Sequence, residues 1–164
     1  VSRDRSLIDR ARALRDCEDP KGDAASFNFK MSDVHAAIAR VQLERLGEFL
    51  QRRADIAAAY RAALGDDTID LPTPPDDREH AWFRFVIMLR EHNVEALLRR
   101  CEEHRLVCGR PVGRLVAGVD LDELPGCRTA WERACSVPLY PALTDNETHE
   151  APRRFVAALD EGDD

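Results

Sequence analysis

The chain has 164 residues, 44% of them hydrophobic, which is enough apolar material for one sizeable core. Its 31 acidic against 24 basic residues give a formal charge of −7, and a field of that sign repels phosphate backbones, which excludes nucleic acid as a partner class unless cations gather on one face. No apolar run approaches the roughly 20 residues of a membrane helix, and Val1-Ser2-Arg3-Asp4-Arg5 lacks the apolar core of a signal peptide, so the expectation is a cytoplasmic chain without a membrane partner.

In chain order, Leu7, Ile8, Ala11 and Leu14 fall on one stripe and predict a first helix, which ends before the turn material Asp19-Pro20-Lys21-Gly22-Asp23. A second, long helix is predicted from Asp33 to Leu64. Ser32 can accept a hydrogen bond from its first turn, Asp33 suits its positive end, and apolar residues recur at Val34, Ile38, Val41, Leu46, Phe49, Leu50, Ile56 and Tyr60. At ~1.5 Å per residue it would run roughly 48 Å, longer than a small core requires, so it is expected to bridge two bodies. Gly47 marks a bend or a close helix contact within it, and Gly65 marks its stop.

The three prolines of Leu71-Pro72-Thr73-Pro74-Pro75 predict a linker. Ala81 to Leu89 is aromatic and β-branched with only Arg84 charged, as in a strand covered on both faces. Asn93 caps a helix bearing Val94, Leu97, Leu98 and Cys101, and Leu106-Val107-Cys108 is a short candidate strand. An irregular connection from Gly109 to Gly126 follows. A helix around Thr129–Ala134, a strand over Cys135–Tyr140 and a last helix from about Thr144 to Leu159 complete the order. This pattern predicts an α+β fold, a small sheet packed with helices. The helical segment occupies residues 1–70 and the small α+β domain residues 78–160.

Five cysteines, Cys17, Cys101, Cys108, Cys127 and Cys135, are odd in number and contain no Cys-x-x-Cys pair, so mostly buried, reduced thiols are expected. His35, His92, His104 and His149 lack metal-ligand spacing, and no metal is expected.

Four pieces of sequence occur in an order that resembles the C-terminal half of the DegT/DnrJ/StrS-type sugar-nucleotide aminotransferases, which are fold-type I pyridoxal-phosphate enzymes. They are Phe27-Asn28-Phe29-Lys30-Met31-Ser32-Asp33, Gln42-Leu43-Glu44-Arg45-Leu46, His80-Ala81-Trp82, and Ser136-Val137-Pro138-Leu139-Tyr140-Pro141 followed by Leu143-Thr144. The resemblance implies the small C-terminal domain with its interdomain helix, in a homodimeric enzyme that moves an amino group, usually from glutamate, to a keto-sugar nucleotide.

Such chemistry needs a lysine bonded to pyridoxal phosphate and a carboxylate facing the pyridine nitrogen. Lys21 and Lys30 are the lysines present. Neither matches the family's reactive lysine, which belongs to the large N-terminal domain, so no catalytic residue is assigned to this chain and a large domain or partner chain is expected to supply it. Asn28 offers an amide and Lys30 a cation in a turn before a helix, a combination that suits a phosphate. The resemblance implies that these two reach the cofactor phosphate across the dimer. On the substrate side the family commonly has a His/Tyr-Pro-His-type stretch, whereas here Gly109-Arg110-Pro111-Val112-Gly113-Arg114 stands after the short strand. Arg110 and Arg114 are candidates to clamp a diphosphate or carboxylate, and the resemblance places His80 at the mouth of the site. Two other classes compete: an inactive dimerisation module derived from the family, and a helix-turn-helix regulator, which the charge balance disfavours.

Overall fold

The computed structural model describes residues 2–16, 29–65, 68–90, 93–113 and 120–161. The chain divides into two compact units, Val1–Leu46 and Gly47–Asp164.

The first unit holds two helices. In α1 (Arg5–Asp16) the Asp4 carboxylate accepts from the Ser6 and Leu7 amides at 2.9 and 3.3 Å, satisfying donors that a helix start leaves orphaned. In α2 (Asp33–Glu44) Ser32 has extended backbone and its hydroxyl accepts from the His35 amide at 3.3 Å, the cap the sequence predicts. No residue of α2 is buried. Its apolar stripe, Val34, Ile38 and Val41, stands 69%, 57% and 52% exposed.

One helix from Asp33 to Leu64 is expected, and two form. The break falls at Arg45, whose φ of −92° and ψ of 0° lie outside the helical well, and α3 (Leu46–Ala63) begins beside it. Nothing approaches within 4 Å of where a Gly47 Cβ would stand, so Gly47 makes no close helix contact among the described residues. Its effect is conformational: a glycine in the first turn of α3 weakens the helix by about 1 kcal/mol, and the ladder yields next to it.

In the second unit α3 buries Ile56, Ala57 and Tyr60. Three antiparallel strands form one sheet in the order β1 (Ile69–Asp70), β2 (Phe85–Leu89), β3 (Ala134–Val137). Ile69 pairs with Leu89, Ile87 with Cys135 and Phe85 with Val137. Side chains alternate across a strand, so Phe85, Ile87 and Leu89 share the buried face while Val86 and Met88 stay half-buried. The expected coverage of both faces is therefore complete on one face only. The strand also starts late. Trp82 has a φ of 47°, which turns the chain out of extended geometry before β2.

Around the sheet lie α4 (Val94–Glu103), α5 (Pro125–Arg133) and α6 (Asp145–Asp160). Asn93 caps α4, its side chain accepting from the Glu95 amide at 2.8 Å. At the other end the Leu106 amide returns to the Cys101 carbonyl (2.8 Å) and the Arg105 amide to the Glu102 carbonyl (2.9 Å), with Arg105 at φ 56°. This is a Schellman stop, and it commits the Leu106 amide to closing the helix, while no strand forms at the expected Leu106–Cys108. Of that stretch's neighbours, Gly109 alone bridges to the sheet, exchanging bonds with Ser136. Thr144 and Glu147 form a reciprocal capping box at the start of α6. Arg52 of α3 donates to the Leu143 carbonyl at 2.7 Å and the Thr148 hydroxyl at 3.2 Å, and pairs with Asp145 at 2.9 Å, tying α3 to that helix start.

Cys101 and Cys135 are buried and Cys108 half-buried, but Cys127 is exposed on α5, contrary to the expectation of mostly buried thiols for that one residue. Hydrogen bonds to the Cys101 and Cys135 thiols, with burial, push the Cys108 thiol above its ordinary range.

Candidate functional site

In the first unit the described part of the turn ahead of α2 is Phe29-Lys30-Met31-Ser32, all exposed. The Phe29 amide donates to the Arg15 carbonyl at 3.2 Å, which pins the turn to the end of α1. Lys30 thus stands on an anchored turn beside the amide-rich start of α2, an electropositive setting for an anion. Asn28, the other cofactor candidate, lies outside the described residues.

In the second unit His80 is exposed, and its Nδ1 accepts a hydrogen bond from the Trp82 backbone amide at 2.9 Å. An amide can only donate, so Nδ1 is the acceptor in this arrangement and Nε2 is the ring nitrogen left to donate. The Trp82 ring lies 4.3 Å from the imidazole and 5.6 Å from Phe85, which in turn stacks on Tyr60 at 5.4 Å. A column of rings thus runs from an exposed imidazole to the centre of the core. The left-handed Trp82 backbone that aims the amide costs about 1–3 kcal/mol, strain of a kind that clusters at ligand sites.

Arg110 is differently placed. Its guanidinium donates to the Trp131 carbonyl, pairs with Glu95 at 3.0 Å and lies over the Trp131 ring, 4.6 Å from its centroid. The group is engaged by α4 and α5 within the fold. Arg114 lies outside the described residues.

Two arginines that the sequence did not single out as binding residues adjoin the His80 turn. The guanidinium carbons of Arg53, from α3, and Arg84 lie 5.6 and 5.8 Å from the centroid of Phe83, a ring left 69% exposed. Arg84 was visible as the lone charge of its segment. Arg53 carried no signal, because its partner ring is 30 residues away along the chain.

Among the described residues no helix is long and apolar enough to cross a membrane, and no group of three or more His, Cys, Asp and Glu side chains is arranged to hold a metal.

With this geometry in view, the chain was compared with known proteins. The model of the DegT/DnrJ/EryC1/StrS aminotransferase family matches residues 1–153. The chain is 26% identical over 155 residues to the spore coat polysaccharide biosynthesis protein SpsC of Bacillus subtilis, a match covering 84% of this chain and 40% of that protein. Among solved structures it is similar to the aminotransferase TlmJ from Streptoalloteichus hindustanus, with 26% identity, a TM-score of 0.82, and coverage of 97% of this chain and 46% of that one. The PLP-form of Spr1654 from Streptococcus pneumoniae shares the fold at 20% identity and a TM-score of 0.82, with 98% and 45% of the two chains covered. The chain spans less than half the length of these relatives. A match over residues 1–153 of 164 leaves one conclusion: the chain belongs to the DegT/DnrJ/EryC1/StrS aminotransferase family.

Proposed function

We propose that this chain is the C-terminal part of a pyridoxal-phosphate-dependent aminotransferase that moves an amino group from glutamate to a keto-sugar nucleotide. The family match over residues 1–153 is the observation that carries this reading. The uncovered apolar stripe of α2 supports it, since a helix with no buried residue has its packing partner elsewhere. In this reading a large domain provides the reactive lysine, and two such assemblies form a homodimer.

Pyridoxal phosphate, when bound, supplies the electron sink for amino-group transfer. Asn28 and Lys30 are the residues of this chain that would meet its phosphate, Lys30 as a point charge where the family often has arginine. The exposed, anchored Lys30 turn fits that task. His80 offers its Nε2 proton to a substrate oxygen. Arg110, held by Glu95 and Trp131, fixes the segment leading to Arg114, whose guanidinium is the candidate anion clamp.

Co-expression of the chain with an N-terminal large domain tests the proposal. The expected result is a complex with visible pyridoxal absorbance that aminates a keto-sugar nucleotide at the expense of glutamate, and that loses cofactor more readily with Lys30→Ala. A stable complex without absorbance or product would overturn it in favour of an inactive interaction module.

A further inference from the structure

We propose that Cys101 and Cys108 are a modification site, a thiol pair that closes to a reversible disulfide when hydrogen peroxide reaches it. Three thiols from separate stretches of chain meet at one place in the second unit. Cys101, in the last turn of α4, and Cys135, in β3, are fully buried, and Cys108 is half-buried. The backbone brings them together. The Leu106 amide turns back to the Cys101 carbonyl, which returns the chain to the end of α4, and Gly109 then bridges Ser136, which sets Cys108 beside β3. Alternation about that bridge puts Cys108 on the same face as Cys135, and α4 packs against β3. The Cys108 thiol is hydrogen-bonded to both other thiols. Sulfurs already in such contact need only a small torsional shift to reach the ~2.05 Å of a disulfide.

The two sulfurs take different parts. A hydrogen bond from Cys108, helped by the Arg100 charge, holds the Cys101 thiol below its ordinary range, so Cys101 is the sulfur that releases its proton first. Cys108 keeps its proton and gives the cluster its exposure. The Cys101 thiolate attacks one peroxide oxygen, the O–O bond breaks, and the departing hydroxide takes the Cys108 proton and leaves as water. A sulfenic acid then stands on Cys101 and a thiolate on Cys108. The Cys108 thiolate attacks the Cys101 sulfur and expels hydroxide, which leaves as a second water with the proton that Cys101 first released. The thiols lose two electrons and the peroxide gains them. Tyr60 completes the site: its hydroxyl is buried, has no partner among the described residues, and interacts electrostatically with all three thiols. A sulfenic oxygen supplies the acceptor that this donor lacks.

The test uses the full chain carrying Cys17→Ser and Cys127→Ser, which leaves the three clustered thiols. Reduced protein is treated with hydrogen peroxide, alkylated and digested with trypsin without reductant, then mapped by mass. Cleavage after Arg100, Arg105 and Arg133 puts the three cysteines on separate peptides. The expected product joins the Cys101 and Cys108 peptides with loss of two hydrogens, and dithiothreitol separates them again. Cys135→Ser keeps this link and Cys108→Ser abolishes it. Melting curves identify variants that fold, and the map of the three-thiol chain decides the matter if a variant does not. Tyr60→Phe slows the link about fivefold with the same end point, a change that a purely structural role for the hydroxyl does not produce. Peroxide that leaves Cys108 free, carries it to a sulfinic acid without a link, joins Cys101 to Cys135, or links the thiols only in urea would overturn the site. An unchanged rate in Tyr60→Phe would overturn the part given to that hydroxyl. Neither cofactor nor large domain is needed for this readout.

Discussion

The guanidinium of Arg110 lies 4.6 Å from the centre of the Trp131 ring and pairs at 3.0 Å with Glu95, so one side chain joins α5 to the start of α4. Its side chain is only 17% exposed, which strengthens the ring contact, whereas Glu95 at 74% makes the ion pair a weak contributor. Arg110→Ala is expected to cost about 2 kcal/mol, mostly from the ring stack and the bond to the Trp131 carbonyl. Arg110→Lys should restore less than half, because an ammonium cannot stack flat. Thermal unfolding measures both, and an unchanged melting temperature for Arg110→Ala would mean the side chain is free for ligand.

Tyr60 is fully buried and its hydroxyl has no partner among the described residues. Removing an unsatisfied buried hydroxyl relieves a desolvation cost, so Tyr60→Phe should leave stability unchanged or raise it by up to about 1 kcal/mol. Burial is also the main cause that lifts its ionisation above the ordinary tyrosine range. Above about pH 10 the unfolded chain releases this proton while the folded chain keeps it. The unfolded state then binds fewer protons, and stability falls as pH rises, by up to about 1.4 kcal/mol per pH unit. Denaturant midpoints from pH 9 to 11 should show this slope in the parent chain and a shallower one in Tyr60→Phe.

The C-terminal stop of α4 offers a gain. Arg105 occupies the left-handed position of a Schellman motif, where a Cβ is penalised and glycine is preferred. Arg105→Gly is therefore expected to stabilise the second unit by about 0.5–1 kcal/mol, less whatever glycine gains in unfolded-state freedom. Urea unfolding decides the sign, and a loss above 1 kcal/mol would show that the Arg105 side chain holds more than its own turn.

Local signals were legible and distant ones were not. Ser32, Asn93 and Thr144 each announced a helix start, because a cap is a contact within three residues and its chemistry is written in the neighbouring letters. The α+β order and the family followed from such pieces. Ile69–Asp70 escaped notice as a strand because two residues carry no period, and it exists only through pairing with Leu89 and Met88. Trp82 defeated the strand prediction for a similar reason: its alternation looked extended, and the His80 imidazole that captures its amide is a tertiary choice. At the candidate site His80 was reached by resemblance, while Arg53 was invisible because nothing on α3 indicates which ring it will meet. The Arg110 stack was equally hidden, since Trp131 lies 21 residues away.

Val34, Ile38 and Val41 repeat at spacings of four and three on α2, so they line one face, and all three are more than half exposed. Neighbouring Phe29 and Met31 are 69% and 66% exposed. Covering such a stripe gains about 25 cal/mol for each Å² of apolar surface removed from water, which in the reading proposed above favours docking to a large domain and, for the chain by itself, association with other copies. Light scattering of the parent chain should therefore show association that rises with concentration. Ile38→Lys combined with Val41→Glu should abolish it and weaken capture by a large domain at least tenfold. The melting of the second unit should not change, because no core residue of that unit comes from α2. A parent chain that stays monomeric at high concentration would show that this stripe has no strong tendency to be covered.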